Sequence, residues 1–164
     1  MLIIGHVALT TFVLYVANFI RRRRDFTIAF FGSLLPDLID KPLGFLIFQG
    51  FGNGRLVAHT LLFNVLMLLI FLVFRSNLQF RLGGNPVILP VASMLHLAED
   101  RMWEDPSLLL FPFMGDIPLK PTLTLIERIY NIINSYRNPY IFLSEMIGAI
   151  LLYFLYKLYR RVEN

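Results

Sequence analysis

The chain has 164 residues, 57% of them hydrophobic and only 16% charged, against about 45–50% apolar and 25% charged in soluble domains. That balance excludes an ordinary soluble domain and predicts one integral membrane domain over residues 1–164. The net charge is +4, but four of the cations form the single run Arg21 to Arg24, which reads as a topology signal rather than a nucleic-acid patch. No nucleic-acid partner is expected. With no cysteine, disulfides, thiol nucleophiles and Cys-type zinc sites are ruled out, and histidine and carboxylate remain as metal ligands.

A spanning helix needs about 20 mostly apolar residues. Met1 to Ile20 meets that length, and its basic cluster follows the apolar stretch, the reverse of a signal peptide, so it reads as a retained first span. Phe26 to Phe48 is long enough but carries Asp37, Asp40 and Lys41, and Pro36 is expected to break or kink it. Leu56 to Phe74 is a third span, and Pro86 to Ala98 is a short fourth segment that crosses only in part or lies tilted and buried. The glycine-rich "QGFGNGR" and "RLGGNP" follow no phosphate-loop spacing and read as turns. In "KPTLTLIERIYNIINSYRNP", Leu125, Ile126, Ile129, Ile132, Ile133 and Tyr136 recur at helical spacing, behind Thr124 and Glu127 at capping-box spacing. This predicts an amphipathic helix in the membrane interface. Tyr140 to Tyr159 is the last span. The fold class is therefore all-α, a polytopic helical membrane bundle of about five membrane segments plus an interfacial helix.

Cytoplasmic loops hold the excess of Lys and Arg. If the arginine turn is cytoplasmic, five segments put Arg75, Arg81, Lys157, Arg160 and Arg161 on the same side, with the N-terminus outside and the C-terminus in the cytoplasm. The only three histidines, His6, His59 and His96, then all fall toward the outer face of the cell membrane. Asp37 and Asp40 lie at or beyond the middle of a segment running outward, and an ionised side chain at that depth costs at least about 2.5–3.5 kcal/mol, so it is paired or functional. Asp37 and Lys41 stand at i and i+4 and can pair with each other. His96 and Asp100 share one helix face at the same spacing, which suits two ligands of one metal. A lone histidine is more often a hydrogen-bonded structural residue. Three histidines and three aspartates from four segments point instead to a metal site, for which zinc is best suited and manganese or iron are compatible. The other reading is a buried polar network without metal, in which the aspartates pair with Lys41 and Arg55.

Glu99 reads as an acid behind the ligands, a general base or a solvated helix-end charge. Lys41, Arg55 and Arg101 are outer-side cations able to hold a phosphate, although anchoring to headgroups is the commoner use. Trp103 marks the outer interface, and Ser33 and Ser93 lie in no nucleophile-elbow pattern.

The order His6, "GSLLPDLID", "GRLVAHTLLF" and "HLAEDRMWEDPSLLLFPF" resembles the prokaryotic membrane-bound, metal-dependent hydrolase family typified by the YdjM inner-membrane protein. The likeness runs from about His6 to Phe113. The family's early histidine, its Gly-x-x-x-Pro-Asp element, its histidine followed by a small hydroxylated residue, and its histidine with an aspartate four positions on match His6; Gly32, Pro36 and Asp37; His59 and Thr60; and His96 and Asp100. Where many members have "PDxD" and "HRG", this chain has "PDLID" and "NGR". The histidine and Pro-Asp order is also similar, more remotely, to zinc-dependent phospholipase C. The resemblance implies a hydrolase acting on a phosphoester or related bond of a lipid or lipid-linked substrate. His6, Asp37, His59, His96 and Asp100 are expected to bind one or two divalent ions, most suitably Zn2+, and Asp40 or Glu99 to orient a water or take its proton. The alternative class is a non-catalytic metal-stapled scaffold or a cation-handling transporter.

Overall fold

The computed structural model describes residues 3–46, 54–115 and 124–161. Among these every regular element is helical: α1 (Ile3–Val16), α2 (Arg23–Leu46), α3 (Leu61–Val73), α4 (Arg75–Leu82), α5 (Ile88–Glu99), α6 (Pro106–Leu109), α7 (Leu125–Ser135) and α8 (Pro139–Arg161). Short 3₁₀ turns occupy Val57–His59 and Met102–Glu104. The ends of the expected first and second segments, at Met1 and Phe48, lie outside the described residues, as does most of "QGFGNGR".

Helix α2 is the central element. It packs along α5 on one side and α1 on the other, while α8 lies against α1 and α3 against α5. Leu14, Ile20, Phe26, Ile28, Ala29, Ile88, Ala92 and Leu155 form the core where α1, α2, α5 and α8 meet. Two close approaches set these helices. A Cβ on Gly32 would lie 2.7 Å from both Ala92 Cβ and the Leu89 carbonyl oxygen, and a Cβ on Gly148 would lie 3.1 Å from Gly5 Cα.

The break expected at Pro36 does not occur: α2 runs without interruption through both Pro36 and Pro42. Each interior proline costs a helix about 3 kcal/mol, and the packing of α2 against two neighbours, closest at Gly32, outweighs that cost here. The span lengths also differ from expectation. Helix α1 stops at Val16, where Asn18 takes a left-handed conformation (φ 59°). The Phe19 N–H reaches the Leu14 carbonyl and the Asn18 N–H reaches that of Tyr15, a Schellman-type end. The expected third span, Leu56 to Phe74, divides into the Val57–His59 turn and α3, and α4 follows it bent 84° away. Thr60 causes the first division, because its hydroxyl caps the Phe63 N–H and starts α3 there. Among the described residues, only Pro139–Arg161 is by itself long and apolar enough to cross a membrane; α3 with α4 qualifies as one broken span, and α1 and α5 are shorter apolar helices.

Burial is inverted relative to a soluble protein. His6, Thr10, Asp25, Ser33, Asp40, His59, Asn64, Ser93, His96 and Glu145 are buried, while Leu66, Leu69, Ile70, Phe142, Ile147 and Ile150 are exposed on α3 and α8. Soluble monomers rarely expose so much contiguous apolar surface, and lipid is its natural solvent. Helix α7 forms as expected, with the complete Thr124–Glu127 capping box. Ile126, Ile129 and Ile133 are exposed along it, and the side chains of Leu125 and Ile132 lie outside the described set. The arginine run lies at one end, where Arg23 donates to the Arg160 carbonyl and Arg24 to that of Leu82.

Candidate metal centre

At the opposite end, one ligand atom each from His6, His96 and Asp100 lie within 4.8 Å of one another, as do those from Asp37, His59 and His96. All five residues named as ligands from the sequence therefore come together in two groups that meet at His96. His59 Nε2 stands 3.7 Å from Asp37 Oδ1 and 3.9 Å from Asp100 Oδ2, His96 Nε2 is 3.9 Å from Asp100 Oδ2, and His6 Nε2 is 3.1 Å from Asp100 Oδ1.

Each imidazole is held from behind. His59 Nδ1 donates to Asp40 Oδ2 at 2.7 Å, His96 Nδ1 to the Ser33 carbonyl at 2.6 Å, and His6 Nδ1 to Glu99 Oε2 at 2.7 Å. All three partners accept in these contacts, which places a proton on each Nδ1 and turns the Nε2 atoms inward, that of His6 onto Asp100 Oδ1. Ser33 reaches His96 because α2 and α5 touch at Gly32, one residue earlier. Pro36 cannot donate to the Gly32 carbonyl, and the carbonyl that receives His96 is the next one along the helix.

Asp40 is wholly buried. Besides His59 Nδ1, its Oδ2 accepts the N–H groups of Leu56 (2.6 Å) and His59 (3.0 Å), and its Oδ1 that of Ala58 (3.0 Å). It folds the 56–59 turn onto α2 and holds the His59 ring from the side opposite Nε2. Glu99 spends its second oxygen on the Thr10 hydroxyl at 2.8 Å. Lys41 pairs with Asp37 Oδ2 at 2.5 Å and Arg55 with Asp100 Oδ2 at 2.6 Å, as the metal-free reading expected. Those pairs leave the decisive atoms untouched: His59 Nε2 and His96 Nε2 are buried without a hydrogen-bond partner. Arg101 takes a left-handed conformation, and its guanidinium pairs with Glu104 at 3.2 Å, exposed on both sides.

The donor set fits a divalent cation. Ligand atoms about 2.0–2.2 Å from a common ion lie roughly 3–4 Å apart, the range of the four separations above, and orphaned imidazole nitrogens facing carboxylates are otherwise costly. Sequence reasoning missed the residues that support the turn. Asn64 donates to the Ala58 and Thr60 carbonyls and receives the Ser93 hydroxyl. The available signal was Asn64 itself, a single amide in "LLFNVLMLLI", and Thr10, four residues after His6.

No curated protein and no solved structure matches the chain. The sequence of the YdjM inner membrane protein family, by contrast, matches from end to end, over residues 1–164. The apolar exterior and the match over the whole length agree, and the chain belongs to the YdjM inner membrane protein family.

Proposed function

We propose that this chain is a membrane-embedded, metal-dependent hydrolase that cleaves a phosphoester or related bond of a lipid-type substrate. The observation carrying the proposal is the pair of buried, unpartnered Nε2 atoms of His59 and His96 beside the carboxylates of Asp37 and Asp100. His6, Asp37, His59, His96 and Asp100 would hold the cation, with zinc best suited to imidazole and carboxylate donors. The two donor groups meet at His96, an arrangement that suits one or two ions. When bound, such an ion would lower the pKa of a water to about 7 and polarise the scissile group.

The remaining residues position or attract. Asp40, Glu99 and the Ser33 carbonyl orient the three imidazoles, and the four hydrogen bonds Asp40 accepts support that role over proton transfer. Lys41 and Arg55, more exposed than the aspartates they pair with, are placed to exchange those carboxylates for an anionic group on the substrate. The complete burial of His59 and His96 also favours a second reading, a closed metal staple without turnover. Five membrane segments, with the arginine end cytoplasmic and the histidine end at the outer leaflet, complete the proposal.

Elemental analysis of the detergent-purified protein tests it. About one to two equivalents of transition metal are expected, falling sharply in His59→Ala and Asp37→Ala; a folded, metal-free wild type that cannot be loaded would sink the proposal. Turnover of lipid phosphoesters by the loaded protein separates enzyme from staple. For sidedness, Trp103→Cys should react with an impermeant thiol reagent from outside and Arg22→Cys only after permeabilisation.

A further inference from the structure

At the end opposite the histidines, a recess of about 460 Å³ opens between the end of α1, the start of α2 and α4, lined by Arg21, Arg22, Arg75 and Gln79 with Ala17 and Phe19 on its apolar side. The proposed hydrolytic site makes no use of it. Asp25 also lines this recess, but its carboxylate is 2% exposed and spent on the backbone. Oδ2 accepts the N–H groups of Arg21 and Arg22 at 2.9 Å, and Oδ1 that of Asn85 at 2.7 Å. Those bonds fix the floor of the recess and tie the α1–α2 and α4–α5 connections together. Among the described residues the guanidinium groups of Arg22 and Arg75 have no carboxylate partner.

The bend between α3 and α4 gives the recess a depth. The two helices meet at 84°, so if α3 runs along the membrane normal, α4 lies nearly in the membrane plane. Arg75 sits at the start of α4 and Phe80, 91% exposed, further along it, the mixture of cation and aromatic that suits the headgroup boundary. A recess at that depth meets phosphate on one side and the roots of acyl chains on the other. Guanidinium forks match phosphate oxygens in pairs, and Ala17 and Phe19 offer apolar surface that a free phosphate would not use.

We propose that this recess binds the phosphodiester headgroup of an anionic phospholipid from the leaflet bordering the arginine end. Arg21, Arg22 and Arg75 surround the phosphate, and Phe19 lies against the glycerol and first methylenes.

Native mass spectrometry of the full chain tests this, after incubation in detergent with phosphatidylglycerol, phosphatidylcholine or inorganic phosphate. Phosphatidylglycerol should be retained in about tenfold preference to phosphatidylcholine, and Arg22→Gln with Arg75→Gln should abolish the preference, two neighbouring cations being enough to account for it. Lysine at both positions should keep part of it, and His59→Ala, remote from the recess, all of it. Equal retention of the two lipids by the wild type would overturn the proposal, and this comparison decides alone if the double variant fails to fold. So would a folded double variant that still prefers phosphatidylglycerol, or displacement of that lipid by millimolar inorganic phosphate, which would make the recess a site for soluble anions.

Discussion

Asp40→Asn is the substitution that best separates orientation from proton transfer at the metal centre. Asp40 Oδ2 accepts from Leu56 N–H, His59 N–H and His59 Nδ1, and Oδ1 accepts from Ala58 N–H. An asparagine has one acceptor oxygen, so in either orientation its NH2 group faces at least one buried N–H. Leaving one such donor unsatisfied costs about 1–3 kcal/mol, and the remaining bonds lose the share that came from the carboxylate charge, so a total loss of about 2–4 kcal/mol is expected. The loosened His59 ring should lower metal affinity about 10–100-fold, as removal of groups behind metal ligands does elsewhere. Calorimetric metal titration and thermal unfolding, with and without metal, measure both effects on the same sample. If Asp40→Asn binds metal as tightly as the wild type, unfolds at the same temperature and loses only turnover, Asp40 is the base and the orienting role is refuted.

Gly32→Ala tests the contact that brings Ser33 to His96. Alanine gains about 1 kcal/mol in helix propensity over glycine, but its Cβ would meet Ala92 Cβ and the Leu89 carbonyl at 2.7 Å. A backbone atom cannot step aside, so a net loss of about 1–3 kcal/mol in thermal unfolding and weaker metal binding are expected; a raised melting temperature would contradict the packing argument. Helix α7 carries a pH dependence of its own. Hydrogen bonding from the Thr124 backbone N–H, and then its hydroxyl, holds the Glu127 carboxyl below its ordinary value of 4.5. A group depressed in the folded state stabilises above its unfolded pKa and loses that contribution as pH falls through the folded value. Hydrogen exchange at the start of α7 should therefore speed up below about pH 4 once intrinsic exchange is allowed for, and Glu127→Gln should remove the dependence.

The chemistry at the two ends of the bundle has the same physical basis. Where lipid surrounds the chain, apolar side chains gain nothing by facing inward, and buried polar groups must satisfy one another. Asp25 and Asp40 each do so by accepting three backbone N–H groups, Asp25 from the α1–α2 and α4–α5 connections and Asp40 from the 56–59 turn. One fixes the arginine end and the other the histidine end.

The sequence by itself determined the helical membrane class of the protein and singled out the five His and Asp side chains that the structure brings together. Apolar stretches, a single arginine run and three histidines in a cysteine-free chain leave few alternatives, because ionisable groups at membrane depth need a partner or a purpose. The capping box at Thr124 was equally legible, since a cap is local. What needed the tertiary structure was everything that depends on distant segments meeting. Pro36 favours a break, and the packing of α2 on α5, close at Gly32, accompanies an uninterrupted helix. Asp40 was open as ligand, base or partner of Lys41, and the return of the 56–59 turn settles its contacts, with Lys41 left to Asp37. The support of His96 by a backbone carbonyl has no signature in sequence at all, because every residue carries one, and only the packing of α2 on α5 selects Ser33.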